Sequence, residues 1–290
     1  MSFKPLAKRA LEAGSPTDHA TASILSLDIE RYWGEYEIEW RGCTVKGNFW
    51  SLNDTKKTIG FRLPYTAVTR WPRTVSVAGH WVGTDETFYY AEWQRGGAKA
   101  MARGIRDRIN EADLLVGHNI DGFDLPHIRT LIDDHREQQF KPVKTRDTLK
   151  IARGLKYESC TLDALCQRFG IPTKVGKYDV ENTRLAIEGD KEAQRKHFEY
   201  NVGDPIATSG LYLRFLPLDH KHPPIWPKAY DANGNLLEQC NRCGTSGRLF
   251  KRDGETLKVV LEHALYECKN CGGWSTAQSV RRAAKTRGAA

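Results

Sequence analysis

No apolar run in the 290-residue sequence approaches the roughly 18 residues that a membrane-spanning helix needs. The first 25 residues hold Lys4, Lys8, Arg9 and Glu12 but no apolar stretch of signal-peptide length, so neither membrane association nor export is expected. Cysteine occurs seven times, an odd number that suits free thiols or metal ligands in a reducing, cytoplasmic compartment better than a disulfide framework. A shortage of apolar residues can also be set aside. At 40 % hydrophobic and 10 % aromatic residues, with a mean hydropathy of -0.58, the composition excludes a disordered chain and predicts a soluble globular protein with one large domain and a small one.

The formal charge is +8, and its position says more than its size. Residues 241 to 290 carry ten basic and four acidic side chains, a balance of +6, while residues 1 to 240 carry 34 and 32, a balance of +2. Such asymmetry points to a polyanionic partner, against the alternative of a tail that serves only solubility.

Periodicity divides the chain. Residues 1–22 are polar and read as a flexible N-terminus, and 23–30 read as a short buried strand ending in carboxylates. Residues 31–74, rich in Gly, Trp and Thr, read as a hairpin-like insertion. Alternating strands are predicted over 73–82 and 86–93, joined by a turn at Gly83-Thr84-Asp85. Met101, Ile105 and Ile109 then share a helical face, a buried strand follows at 112–119, a helix at about 122–134 and a strand at 144–149. Further helices are expected at 159–170, capped by Ser159 or Thr161 and stopped by Gly170, and at about 180–188 and 190–216. Strands first, then helix and strand in alternation, predict an α/β fold: a mixed sheet with helices on its faces. Four prolines (Pro217, Pro223, Pro224, Pro227) then mark residues 217–235 as a stiff linker.

Three acidic motifs occur in order. Asp28 and Glu30 end the first strand, and alternation puts both on one face. Asp124 closes the stretch from Asn119 through Phe123, and Asp204 lies four residues after Tyr200 near the end of the domain. The series D-x-E, N-x-x-x-F-D and Y-x-x-x-D, spread over residues 22–216, resembles the three exonuclease motifs of the DEDD superfamily, which has a ribonuclease-H-like fold. Tyrosine four residues before the last aspartate marks the DEDDy subgroup, similar to the proofreading domain of family B DNA polymerases. The rival subgroup has histidine five residues before that aspartate, where this chain has Glu199.

The resemblance implies that Asp28, Glu30, Asp124 and Asp204 are ligands of two Mg²⁺ or Mn²⁺ ions, that Tyr200 orients the attacking water, and that Asn119 and Phe123 line the substrate path. The chemistry has a physical reason. Crowded carboxylates do not all ionise without cations, and two divalent ions relieve the repulsion while activating water for in-line displacement at phosphorus. Two departures from the family pattern stand out: Arg31 follows Glu30 where many relatives have a small hydroxyl residue, and Pro205 follows Asp204, so that the helix kinks or restarts there. Single acidic or histidine residues elsewhere read as structural: His118 as a hydrogen-bonder, Asp147 and Asp163 as strand or capping residues. Lys174 and Lys177 are either phosphate contacts or a solvated loop.

Cys240-x-x-Cys243 and Cys268-x-x-Cys271, each followed by glycine, form two knuckles at a spacing that suits one structural, tetrahedral Zn²⁺ and predict a zinc ribbon over residues 236–275, with a basic tail at 276–290. Arg242, Arg248, Lys251, Arg252, Phe250 and Trp274 suit a grip on single-stranded nucleic acid, the alternative being protein docking. Cys43, Cys160 and Cys166 are expected to pack as small apolar residues. The favoured function is a 3′-to-5′ exonuclease on single-stranded DNA or 3′ ends, with replication or repair proteins as further partners. An RNA 3′-to-5′ exonuclease and a non-catalytic nucleic-acid-binding module remain alternatives, because the carboxylates do not read the sugar.

Overall fold

Strand β1 (Ile24–Tyr32) is followed by β2 (Gly34–Trp40), β3 (Cys43–Phe49), helix α1 (Thr55–Ile59), β4 (Val68–Arg70), β5 (Arg73–Trp81) and β6 (Thr87–Ala91). Then come α2 (Gly97–Glu111), β7 (Leu114–Gly117), α3 (Asp124–Asp134), β8 (Lys144–Asp147), α4 (Thr148–Gly154), α5 (Leu162–Phe169), α6 (Val180–Glu188) and α7 (Lys191–Phe215). This computed structural model describes residues 22–52, 55–173, 178–223, 225 and 233–235, with the backbone of β9 (Leu265–Glu267) and β10 (Trp274–Thr276). Residues 1–21, Lys174, Lys177, the four cysteines expected to bind zinc and the basic tail lie outside the described residues.

The main sheet has the order β6-β5-β1-β7-β8. β1 runs antiparallel to β5 and parallel to β7, so the sheet is mixed, with helices on both faces as the alternating pattern predicts. Alternation decides what each face of β1 meets. Leu25, Leu27 and Ile29 point to the core formed by α2 and α3, beside Val77, Ile105, Leu115 and Ile128. The intervening residues face α7: Ile24 packs with Leu114, Val116 and Tyr212, while Asp28 meets Asn201. One strand therefore supplies apolar residues to one core and its acidic residues to the other side.

The helix ends follow from local chemistry. Thr161 Oγ1 accepts from the amide of Ala164 at 3.4 Å, and Gly170 closes α5 in the left-handed region at φ 65°. Asp179 and Asp190 cap α6 and α7 by accepting from Glu181 N and Ala193 N. The expected strand at 144–149 ends at Asp147, which caps α4 by accepting from Leu149 N and Lys150 N. α7 runs unbroken through Pro205, and Ser209 Oγ donates to the Pro205 carbonyl at 2.9 Å.

The insertion is a second sheet, β3-β2-β4, whose small core is Tyr36, Phe49, Leu63 and Ala67. Cys43 sits exposed beside the β2–β3 turn and so departs from its expected packing, because the hairpin tip from Glu39 to Lys46 extends past the small core and is exposed throughout; Cys166 is buried and Cys160 half-buried as expected. β9 and β10 pair antiparallel, Trp274 opposite Glu267, and flank the second cysteine knuckle.

Residues 217–222, read as the start of a linker, pack back onto the domain. Asp219 forms a two-pronged ion pair with Arg146, and Tyr212 and His222 share a hydrogen bond at 2.7 Å. With 3 % of the Asp219 side chain and 18 % of Arg146 exposed, removing one partner strands the other charge. Asp219→Ala is expected to lower stability by about 3 kcal/mol in urea denaturation. A loss under about 1 kcal/mol, the range of an exposed pair, would contradict this.

Candidate active site

The carboxyl end of β1 and one face of α7 meet at three acidic side chains. Asp28, Glu30 and Asp204 each bring a carboxylate oxygen within 4.8 Å of the others. At that separation each pair of unit charges repels by at least about 3 kcal/mol at an effective dielectric of about 20. The β1–β5 register shifts between Glu30 and Arg31, where Glu30 lies opposite Ser76 and Arg31 opposite Thr74, and such irregularities re-aim the side chains beside them.

A buried polar chain holds Asp28. Asn201 Nδ2 donates to Asp28 Oδ2 at 3.1 Å, and Ser76 Oγ donates to Asn201 Oδ1 at 2.7 Å. The serine proton being committed, its oxygen accepts from His197 Nε2 at 2.9 Å. Burial pushes His197 down to about 4, so the ring is neutral near pH 7 and carries its proton on Nε2. The carboxylate thus dictates every proton position out to the histidine. His197, Tyr200, Asn201 and Asp204 fall at helical spacing and form one stripe on α7, which is a legible polar pattern on a buried face that motif matching alone misses.

Asp124 opens α3 behind this cluster. The β1–β7 ladder ends at Ser26 opposite Val116, and beyond it Asp124 Oδ1 accepts from Ile29 N at 3.2 Å. Desolvation raises Asp124 to about 7, outweighing the two backbone amides that lower it, and the charges of Asp147 and Asp204 add to the rise. Asp147 is itself buried and accepts from Asn119 N at 3.0 Å as well as capping α4, so its expected structural role agrees with its position.

Asn119 occupies the left-handed region at φ 79°, which asparagine tolerates, and its carbonyl accepts from Gly122 N and Phe123 N. A β-carbon at position 122 would lie 2.7 Å from Asn119 Oδ1, so any larger residue there displaces the asparagine side chain. Phe123 lies flat against Trp50 of the insertion, with centroids 5.8 Å apart and 8° between planes, and His127 meets it edge-on. The Arg31 guanidinium sits 5.2 Å from the Trp50 ring, which explains how a large cation is seated after Glu30. Tyr200 is half-buried and packs 6.2 Å from Tyr178, whose hydroxyl donates to the Arg31 carbonyl at 2.6 Å. His118 Nε2 donates to the Cys160 carbonyl and Nδ1 meets Thr148 Oγ1, the bonding of a structural histidine. Trp50, Tyr178, Ser76, His197 and Asn201 were not foreseen from sequence, since their partners lie 70 or more residues away or in the insertion.

A carboxyl group whose folded pKa lies above its unfolded value favours folding below the unfolded pKa and loses that contribution as pH rises through the folded one. From 3.8 to about 7, the Asp124 shift amounts to roughly 4 kcal/mol of stability lost by pH 8 without divalent ions. Thermal melts in chelator are expected to show Asp124→Asn more stable than the parent at pH 8 and converging with it near pH 4. Parallel curves at all pH values would contradict the shift.

No curated protein sequence matches the chain. Among solved structures, the family B DNA polymerase from the hyperthermophilic archaeon Pyrobaculum calidifontis is similar at 16 % identity and a TM-score of 0.48, over 70 % of this chain and 26 % of the polymerase. The chain thus spans about a quarter of that protein's length. The family model RNase_H_2 matches residues 68–215, just over half of the chain, from β4 to the end of α7. The mixed sheet β6-β5-β1-β7-β8 and the matched span together make this chain a member of the RNase_H superfamily, a nuclease-type fold.

Proposed function

We propose that the chain is a metal-dependent 3′-to-5′ exonuclease of the DEDDy type that hydrolyses terminal phosphodiesters of single-stranded DNA and releases nucleoside 5′-monophosphates. The observation that carries this reading is the convergence of Asp28, Glu30 and Asp204 within 4.8 Å. The donor set consists of carboxylate oxygens alone, with Asp124 behind it, and hard oxygen ligands fit Mg²⁺ or Mn²⁺. Two such ions, when bound, supply a Lewis acid for the phosphodiester and for water.

The remaining roles fall to the chain's own side chains. Asn201 fixes the rotamer of Asp28 through its amide, and Ser76 and His197 fix Asn201. Tyr200, one helical turn before Asp204, orients the attacking water with its hydroxyl. Asn119 shapes the turn before α3, and Phe123 offers the 3′-terminal nucleotide a ring braced by Trp50. Residues 236–275 are proposed as a zinc ribbon beyond a linker ending near 235, with Cys240, Cys243, Cys268 and Cys271 holding one Zn²⁺ and its basic residues gripping the strand or a replication or repair partner. The paired β9 and β10, which flank the second knuckle, support that reading.

With 3′- and 5′-labelled single-stranded DNA and RNA in Mg²⁺ or Mn²⁺, shortening from the 3′ end of DNA is expected, and Asp28→Ala or Asp204→Ala should reduce it about a thousandfold. Full activity in either variant would remove the site, and preferential digestion of RNA would reassign the substrate. Atomic absorption on protein purified without chelator should find about one zinc per chain, lost in the Cys268→Ser/Cys271→Ser variant. Zinc-free protein would remove the ribbon.

A further inference from the structure

The inserted sheet turns aromatic side chains outward. Trp40, Tyr65 and Trp71 are 47, 66 and 53 % exposed, and Phe198 is the one other Trp, Tyr or Phe ring among the described residues that is comparably open. Rings that merely capped the main sheet would be covered by it. These are instead braced from beside: Phe61 lies flat on Trp40 at 4.8 Å with 10° between planes, and Tyr65 and Phe49 flank Trp71 at 6.1 and 6.4 Å.

Their spacing forms a row. Phe61 and Tyr65 belong to the segment that crosses the sheet and buries Leu63 and Ala67 over Tyr36, so one brace stands at each end of that crossing. Trp40 ends β2, whereas Phe49, which abuts Trp71, lies against Gly34 at its start; a β-carbon there would come within 2.5 Å of the Phe49 ring. Seven strand residues separate the two ends by about 20 Å. The next residue after Phe49, Trp50, stacks on Phe123, the immediate neighbour of Asp124. The insertion thus adjoins the third acidic motif through the Trp50–Phe123 stack.

The same insertion carries exposed cations. Arg41 lies 5.9 Å from the Trp40 ring, Arg62 is exposed directly after Phe61, and Lys56 and Lys57 are exposed on α1. Separate exposed rings accompanied by guanidinium and ammonium groups match a flexible polyanion that carries flat bases, and residues 31–74, with eight basic and four acidic side chains, have the complementary sign. A protein partner would favour one contiguous apolar patch.

We propose that the inserted sheet is a platform for a single strand of nucleic acid, with bases stacked on Trp40, Tyr65 and Trp71 and phosphates met by Arg41, Arg62 and the α1 lysines. The strand's 3′ end runs past Trp50 to the carboxylates, a direction that rests on the nuclease reading; the binding surface itself does not. The test uses the 290-residue chain carrying Asp28→Ala, so that the probe is not digested, and fluorescence anisotropy with a fluorescein-labelled oligodeoxythymidine of about 20 nucleotides. Trp40→Ala and Trp71→Ala are each expected to raise Kd about tenfold, with Trp71→Phe restoring most of the loss. Arg62→Gln is expected to reduce the salt slope by a little under one. An unchanged Kd in the Trp40→Ala/Trp71→Ala double variant, with the same melting temperature as its parent, overturns the platform and leaves the rings to a protein partner. Normal digestion by Asp28→Ala would instead defeat the nuclease reading alone.

Discussion

Two acidic side chains of β1 and a third from α7 bring their oxygens within 4.8 Å, a separation at which each pair of unit charges repels by at least about 3 kcal/mol. A fold does not hold three such groups together by their own interactions. It needs rigid elements that impose the distance, hydrogen bonds that fix the carboxylates and a ligand that offsets the charge. β1 meets the first requirement because it is the central strand, paired on both sides. Its odd-numbered residues anchor in the α2–α3 core, which forces the acidic even-numbered ones toward α7.

α7 meets the second requirement. Its polar stripe places Asp204 one turn beyond Tyr200 and sets Asn201 against Asp28, while Ser76 and a neutral His197 complete the hydrogen bonding without adding charge. Burial of a charged histidine there would neutralise part of the cluster and compete with cations. Burial instead keeps the imidazole neutral, so the balance of charge is left to whatever the carboxylates bind. Asp124 makes the same point at the start of α3: desolvated and under the charges of Asp147 and Asp204, it holds its proton up to about neutral pH when no cation is present.

Much of this was legible in sequence because the signals are local. Alternation in β1, the cap at Thr161, the glycine stop at Gly170 and the spacing of the three acidic motifs all act within a few residues. α4 went unread, although Asp147 was recognised as a capping residue, because the strand before it and the helix after it share only that one boundary. What sequence could not supply is the pairing of distant side chains. Ser76 and His197 are 121 residues apart, and Tyr178 reaches the carbonyl of Arg31 across 147 residues. The insertion was read as an irregular hairpin because its order comes from a small core of Tyr36, Phe49, Leu63 and Ala67, whose spacing follows no single period. Its stack on Phe123 through Trp50 is a tertiary contact with no local signature.

The insertion and the main sheet thus share one boundary, at Arg31, Trp50 and Phe123, where an exposed aromatic surface reaches the acidic centre. Whether that centre is built for cations is the claim on which the rest stands. Anomalous diffraction at the manganese edge, from crystals of the 290-residue chain soaked in Mn²⁺ with thymidine 5′-monophosphate, tests it most directly. The account predicts anomalous peaks coordinated by Asp28, Glu30 and Asp204, with nucleotide density beside them. Well-ordered carboxylates with no peak between them, at a Mn²⁺ concentration that supports hydrolysis in solution, would contradict it.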